Sequence, residues 1–175
     1  MYPRNAAKVL SGVVLLALAT SMGVAEPSAA PGVVRVRLGG PYDSGTVQRS
    51  LDRARARLEK PGCQRLFTDF QDASGRPLQE ALDRAGESGG EHLGTLLFYD
   101  GNGQARCRGG RTLAFTWPGS QIVLVCTQQF VEAAHRDPFL ADAALIHESL
   151  HSLGLGENPP SSSQITSRVI SRCRH

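Results

Sequence analysis

The stretch from Asp137 to Pro160 constrains this chain more than any other. Asp137 followed by Pro138 is a helix start: a carboxylate that accepts from free backbone amides, then a proline at the first helical position. The pattern predicts one helix running to about Leu153. There Gly154 can take the left-handed conformation that ends a helix, and Pro159-Pro160 keeps regular structure from resuming at once. On this bounded helix lies His147-Glu148-Ser149-Leu150-His151. Two histidines at i and i+4 project from one helical face about one turn apart, so their imidazoles can grip a single metal ion. Glu148, next to the first of them, is placed to act as general base on a metal-bound water and then to hand the proton to a leaving amine. The bland alternative is a solvated helix whose His and Glu face water or pair with arginine.

The rest of the chain predicts a single domain around this helix. Its 175 residues suffice for one sizeable core and are few for two. Hydrophobic residues make up 41% and charged residues 20%, a balance too apolar for disorder. Residues 33–38 alternate as a strand, and Val47, Leu51, Ala54 and Leu58 fall at helical spacing behind Thr46, a plausible N-cap, with Pro61-Gly62 stopping the helix. Leu78 and Leu82 mark a short helix ended near Gly86, and residues 86–92 read as a polar, Gly-rich loop. Residues 93–99, 113–117 and 122–126 are strand-like, the first followed by the turn signal Asp100-Gly101-Asn102-Gly103. Ser161 to Gln164 fits a capping box, and Ile165, Val169 and Cys173 make the apolar stripe of a last helix. The expected fold is α+β: a small, mostly antiparallel sheet packed with an active-site helix and a C-terminal helix.

Export is expected from the N-terminus. Arg4 and Lys8 precede a mostly apolar stretch from Val9 to Val24, and Gly23-Val24-Ala25 offers small residues for cleavage. The stretch is short and diluted for a membrane span. The domain reading is therefore a signal peptide at 1–25, a small-residue linker at 26–32, and one domain at 33–175, in a secreted or extracytoplasmic protein. Losing Arg4 and Lys8 takes the formal charge from +3 to +1, which gives no electrostatic case for nucleic acid or anionic lipid as partner. Cys63, Cys107, Cys126 and Cys173 are even in number, contain no CxxC pair, and predict two disulfides in an oxidising compartment. Of three connectivities, Cys107–Cys126 with Cys63–Cys173 is preferred, because the first two flank strand-like segments close in sequence.

With His147, Glu148, His151 and Gly154 at these spacings, the sequence resembles the zincin metallopeptidases. It is most similar to the metzincin branch, H-E-x-x-H-x-x-G-x-x-H, in which the residue three after the glycine also binds the metal. Here that residue is Glu157. Small secreted bacterial enzymes of the snapalysin type carry Asp there, so a carboxylate third ligand has a precedent. The resemblance implies a zincin-like fold, Zn²⁺ held by His147, His151 and Glu157, Glu148 as catalytic base, and a peptide or protein substrate. After His151 the other possible ligands are Cys173 and His175, with Asn158 as a weak donor, while Glu132, His135 and Asp142 remain open upstream. The methionine turn of metzincins has no counterpart, since the two methionines are Met1 and Met22. A rival reading is a non-catalytic extracytoplasmic zinc-binding or interaction module retaining the helix, and a third is a secreted toxin or immunity-type factor.

Other residues carry less. His92 is expected to be exposed, His135 to be a surface histidine, and Trp117 with Phe115 to belong to the core. Tyr99 and Arg168 are possible oxyanion partners that no spacing selects. The strand at 122–126 is expected at the cleft, its edge free to pair with an extended peptide.

Overall fold

The structure is a computed structural model that describes residues 35–174. The predicted signal peptide, the linker, and residues 33, 34 and 175 lie outside the described residues.

The described chain is α+β, with a small four-stranded mixed sheet. Strand β1 (Arg35–Arg37) leads to α1 (Pro41–Leu58), and the short helices α2 (Pro61–Gln64) and α3 (Leu66–Asp69) follow. Next come α4 (Gln79–Ala85), α5 (Gly89–Thr95) and β2 (Leu97–Asp100). A 3-10 turn (Ala105–Gly109), β3 (Ala114–Phe115) and β4 (Ile122–Val125) precede α6 (Thr127–Arg136), α7 (Pro138–Ser152) and α8 (Ser162–Cys173).

The sheet corrects the expectation of a mostly antiparallel arrangement. Its order is β1-β2-β4-β3; β1 with β2 and β2 with β4 run parallel, and β3 alone is antiparallel, to β4. The helices between β1 and β2 form a crossover that returns the chain to the same end of the sheet, as parallel pairing requires. The turn after Asp100 does form, with the Gln104 amide donating to the Gly101 carbonyl at 2.8 Å. It feeds the 3-10 turn rather than a hairpin partner of β2. At Gly101 a Cβ would stand 3.1 Å from the Val125 carbonyl oxygen, so glycine lets the backbone pass close to β4.

Helix α7 is the centre of the molecule. It is buried nearly all round, from Phe139 to Ser152, and packs on α1, α6 and α8. Asp137 caps it as expected, its carboxylate accepting from the amides of Phe139 at 3.1 Å and Leu140 at 3.4 Å. The α1 face of Val47, Leu51, Ala54 and Leu58 is buried against it. α1 starts earlier than the Thr46 signal indicated, at Pro41 behind an extended Gly40; Thr46 is interior and its hydroxyl donates to the Tyr42 carbonyl at 3.1 Å.

α1 stops ahead of Pro61-Gly62 as expected, at Leu58, with Lys60 extended before the proline; Pro61 also opens α2, where its missing amide costs no hydrogen bond. The Gly-rich stretch folds as α5 because Ser88 and Glu91 form a capping box. A Cβ at Gly89 would also strike the Phe67 ring, and one at Gly90 the Glu59 carboxylate, so these glycines permit close packing. Helix α6 has no start signal in the sequence: it follows at once on the buried Cys126, without a side-chain cap.

Both expected disulfides are present: Cys63–Cys173 joins α2 to the end of α8, and Cys107–Cys126 joins the 3-10 turn to the end of β4. The first closes a separation of 110 residues. Replacing Cys63 and Cys173 by serine is expected to lower the unfolding free energy by about 4–5 kcal/mol, read from denaturant midpoints. Among the described residues, no helix is long and apolar enough to cross a membrane.

Candidate metal centre

α7 ends in a pair of reverse hydrogen bonds. The Leu155 amide donates to the Leu150 carbonyl at 3.2 Å and the Gly154 amide to the His151 carbonyl at 2.8 Å, the Schellman arrangement. Gly154 has φ +105°, where an L side chain is strained, and a Cβ there would meet Asp72 Cβ at 3.3 Å. The turn aims the Leu155 carbonyl back at the helix, where His151 Nδ1 lies 2.7 Å away. A carbonyl only accepts, so Nδ1 donates to it and His151 Nε2 is the nitrogen turned toward His147.

His147 is held from the other side. Its Nδ1 lies 3.0 Å from Thr166 Oγ1 of α8. The chain passes from Glu157 through Asn158, at φ +62°, to Ser161, whose capping box with Gln164 starts α8. The turn after Gly154 therefore sets Glu157, and the helix it leads into returns a hydroxyl to His147. Both outer nitrogens are thus occupied, as they are in histidines that ligate metals.

The inner nitrogens converge. His147 Nε2 and His151 Nε2 are 2.9 Å apart, and Glu157 Oε1 lies 3.8 Å from the first and 3.4 Å from the second. One donor atom from each of the three falls within 4.8 Å of the others, a group that could hold a metal ion. Two imidazoles and a carboxylate around one point suit a borderline divalent cation. Both imidazoles are buried, whereas the Glu157 side chain is 41% exposed. Burial, and then the neighbouring His151, push the His147 pKa down to about 3, so the imidazole stays neutral well into acid.

Glu148 is buried at 7% exposure beside this group. Its carboxyl is raised well above the usual carboxylate range, first by burial; a hydrogen bond from the Thr116 backbone pulls it down, Glu157 pushes it up, and Arg106 pulls it down. A divalent cation between the imidazoles would add positive charge next to it and favour the carboxylate form.

These groups face a cleft of about 680 Å³ between the β3 segment and α7, whose lining includes Phe115, Trp117, Leu140 and Ala144. The edge available there belongs to β3. β4 is flanked by β2 and β3, so its segment offers no free edge, contrary to expectation. Trp117 is not core: it is 51% exposed, with its ring 5.7 Å from Phe115 in an edge-to-face contact.

The remaining candidates are accounted for elsewhere. Asp142 is fully buried between Arg53 and Arg57 of α1, at 2.9 and 3.3 Å. Glu132 pairs with Arg136 at 3.1 Å, and the exposed His135 ring nitrogen meets the Tyr42 hydroxyl at 2.8 Å. His92 is buried rather than exposed, with Nε2 2.8 Å from Ser152 Oγ and Nδ1 3.5 Å from Glu87. Tyr99 and Arg168 do not line the cleft, and Arg168 faces Asp69 at 3.6 Å. Thr166 was not legible in the sequence: it lies 19 residues from His147 with no periodic relation to it. Replacing Thr166 by valine removes the anchor of His147 Nδ1 while keeping the shape. It is expected to weaken binding of a divalent metal ion roughly tenfold, measured by competition with a chromogenic chelator.

The chain matches no protein-family model, no curated protein and no solved structure. The geometry of the cleft therefore carries the functional reading alone.

Proposed function

We propose that the protein is a secreted zinc-dependent metallopeptidase of zincin type. The observation that carries this reading is the convergence of two imidazole nitrogens and a carboxylate, both imidazoles fixed from behind, with a buried acid alongside. His147, His151 and Glu157 hold Zn²⁺, which when bound supplies Lewis acidity, polarising a carbonyl oxygen and lowering the pKa of water.

The chain's own groups do the remainder. The free edge of β3 pairs with an extended peptide and lays its backbone along the cleft. Glu148 takes a proton from the water that attacks the scissile carbonyl. As the C–N bond breaks it gives that proton to the leaving amine, ending as the carboxylate that began the cycle. Burial of Glu148 matches this shuttle, because it keeps bulk water from competing for the proton in transit. A module that held zinc only for structure would need no base at this position.

Zinc content of the purified protein, with casein and peptide hydrolysis before and after 1,10-phenanthroline, tests the reading. Stoichiometric zinc with chelator-sensitive cleavage supports it. Stoichiometric zinc without cleavage of any substrate overturns the enzyme and favours the binding module. Export is part of the same proposal, supported by the two disulfides. The intact mass of secreted material is expected to place its first residue near Glu26 and to show no thiol available to alkylation without reduction; a chain beginning at Met1 would contradict export with cleavage.

A further inference from the structure

We infer that Arg106 and Arg111 form an anion-binding subsite of the cleft, and that preferred substrates present a carboxylate to it near the bond that is cut; this rests on the peptidase reading above.

Both residues line the same cleft as His147 and Glu148, and both are exposed. Arg136, a third arginine of the lining, is already bound to Glu132 at 3.1 Å. Among the described residues, neither Arg106 nor Arg111 has a carboxylate within ion-pair distance. Their charge is therefore available to a ligand.

Arg106 is also held in place. Its guanidinium lies 5.4 Å from the centre of the Phe115 ring, a cation–π contact on the cleft wall. The 3-10 turn that carries it is fastened twice: Cys107 is disulfide-bonded to Cys126, and the Cys107 carbonyl accepts from Gln129 Nε2 at 2.8 Å. A guanidinium fixed in this way loses little freedom on meeting a planar carboxylate, to which it can donate two parallel hydrogen bonds. It lines the same cleft as Glu148 and the two histidines.

The shared chemistry is a carboxylate, which a peptide can supply from an Asp or Glu side chain or from its own C-terminus. Two pairs of peptides separate these sources: a doubly blocked peptide with Glu or Gln flanking the cleavage site, and a neutral peptide ending in a free carboxylate or a carboxamide. For at least one pair, kcat/KM is expected to favour the acid on the order of tenfold. The ratio should fall toward one in Arg106→Gln/Arg111→Gln and shrink as salt is raised to about 0.5 M. Using the ratio cancels any effect of the arginines on Glu148 itself. A response to the Glu/Gln pair identifies an internal acidic side chain, and a response to the terminal pair identifies the chain end.

Binding gives a readout independent of hydrolysis. Trp117 is the sole tryptophan and lies against Phe115 in the cleft, so its fluorescence reports occupancy by the same peptides. If no peptide is cleaved, the peptidase reading fails, while tighter binding of the acid than of its amide, lost in the double variant, still supports the subsite. Equal kcat/KM and equal binding within both pairs, or a preference that survives in the double variant, overturns it.

Discussion

Glu148→Gln is expected to lower peptide hydrolysis by about 10²–10⁴-fold, the range that a positioned general base supplies, while zinc stays bound. Glutamine matches the shape of glutamate and keeps an oxygen that can accept from the Thr116 backbone, so packing around α7 survives. What it loses is the capacity to carry a proton from water to the leaving amine. The burial of Glu148 sharpens the contrast, because bulk water has little access to act as a substitute base. Zinc content, kcat and thermal unfolding measured on the same preparation separate the outcomes. Loss of activity with full zinc and an unchanged melting temperature places the defect in proton transfer. Wild-type kcat in the variant would show that Glu148 is not the base.

Glu157→Ala is expected to weaken zinc binding and to reduce activity together. A carboxylate oxygen binds zinc at about 2.0–2.2 Å, and with two imidazoles it leaves one position open for chemistry. Removing it leaves two imidazoles and no negative charge to offset the ion. The expected loss of affinity exceeds the 10–100-fold typical of deleting a group that only orients a ligand, so it should be larger than that of Thr166→Val. The carboxylate is half-exposed and in a turn, so the fold should tolerate alanine. Glu157→Asp shortens the arm by one methylene and should fall between wild type and alanine. Glu157→His, which restores a donor, should recover part of the binding. If Glu157→Ala retains zinc as tightly as the wild type, the third ligand is another residue, and the turn after Gly154 serves only to orient His151.

Much of this centre was legible in one dimension because its parts are local. His147, Glu148 and His151 sit on one helix, and helical geometry alone puts the two histidines on one face. Asp137-Pro138 and Gly154 mark the ends of that helix through backbone needs that few residues meet. Glu157 follows so soon after the turn that chain length alone confines it to the neighbourhood. Cysteine pairing was legible for a related reason: with four cysteines there are few pairings, and sequence proximity favoured Cys107 with Cys126.

What stayed hidden is non-local. Thr166 reaches His147 only because α8 folds back across α7, and nothing in a Ser/Thr-rich helix start distinguishes one hydroxyl from another. Asp142 could as well have been a ligand until Arg53 and Arg57 of α1 were found against it. The direction of strands cannot be read from alternation, since parallel and antiparallel strands share the same two-residue period.

The sequence by itself therefore determined the chemistry available at the centre: the helix, its ends, the donor atoms and the two disulfides. These depend on residue identity and short-range backbone geometry. Tertiary structure decided how the sheet is ordered, which edge faces the cleft, which acids are free to bind a cation, and which arginines are left for a ligand. Those outcomes depend on which distant surfaces meet when the core closes around α7, and burial rewards the whole arrangement rather than any single segment.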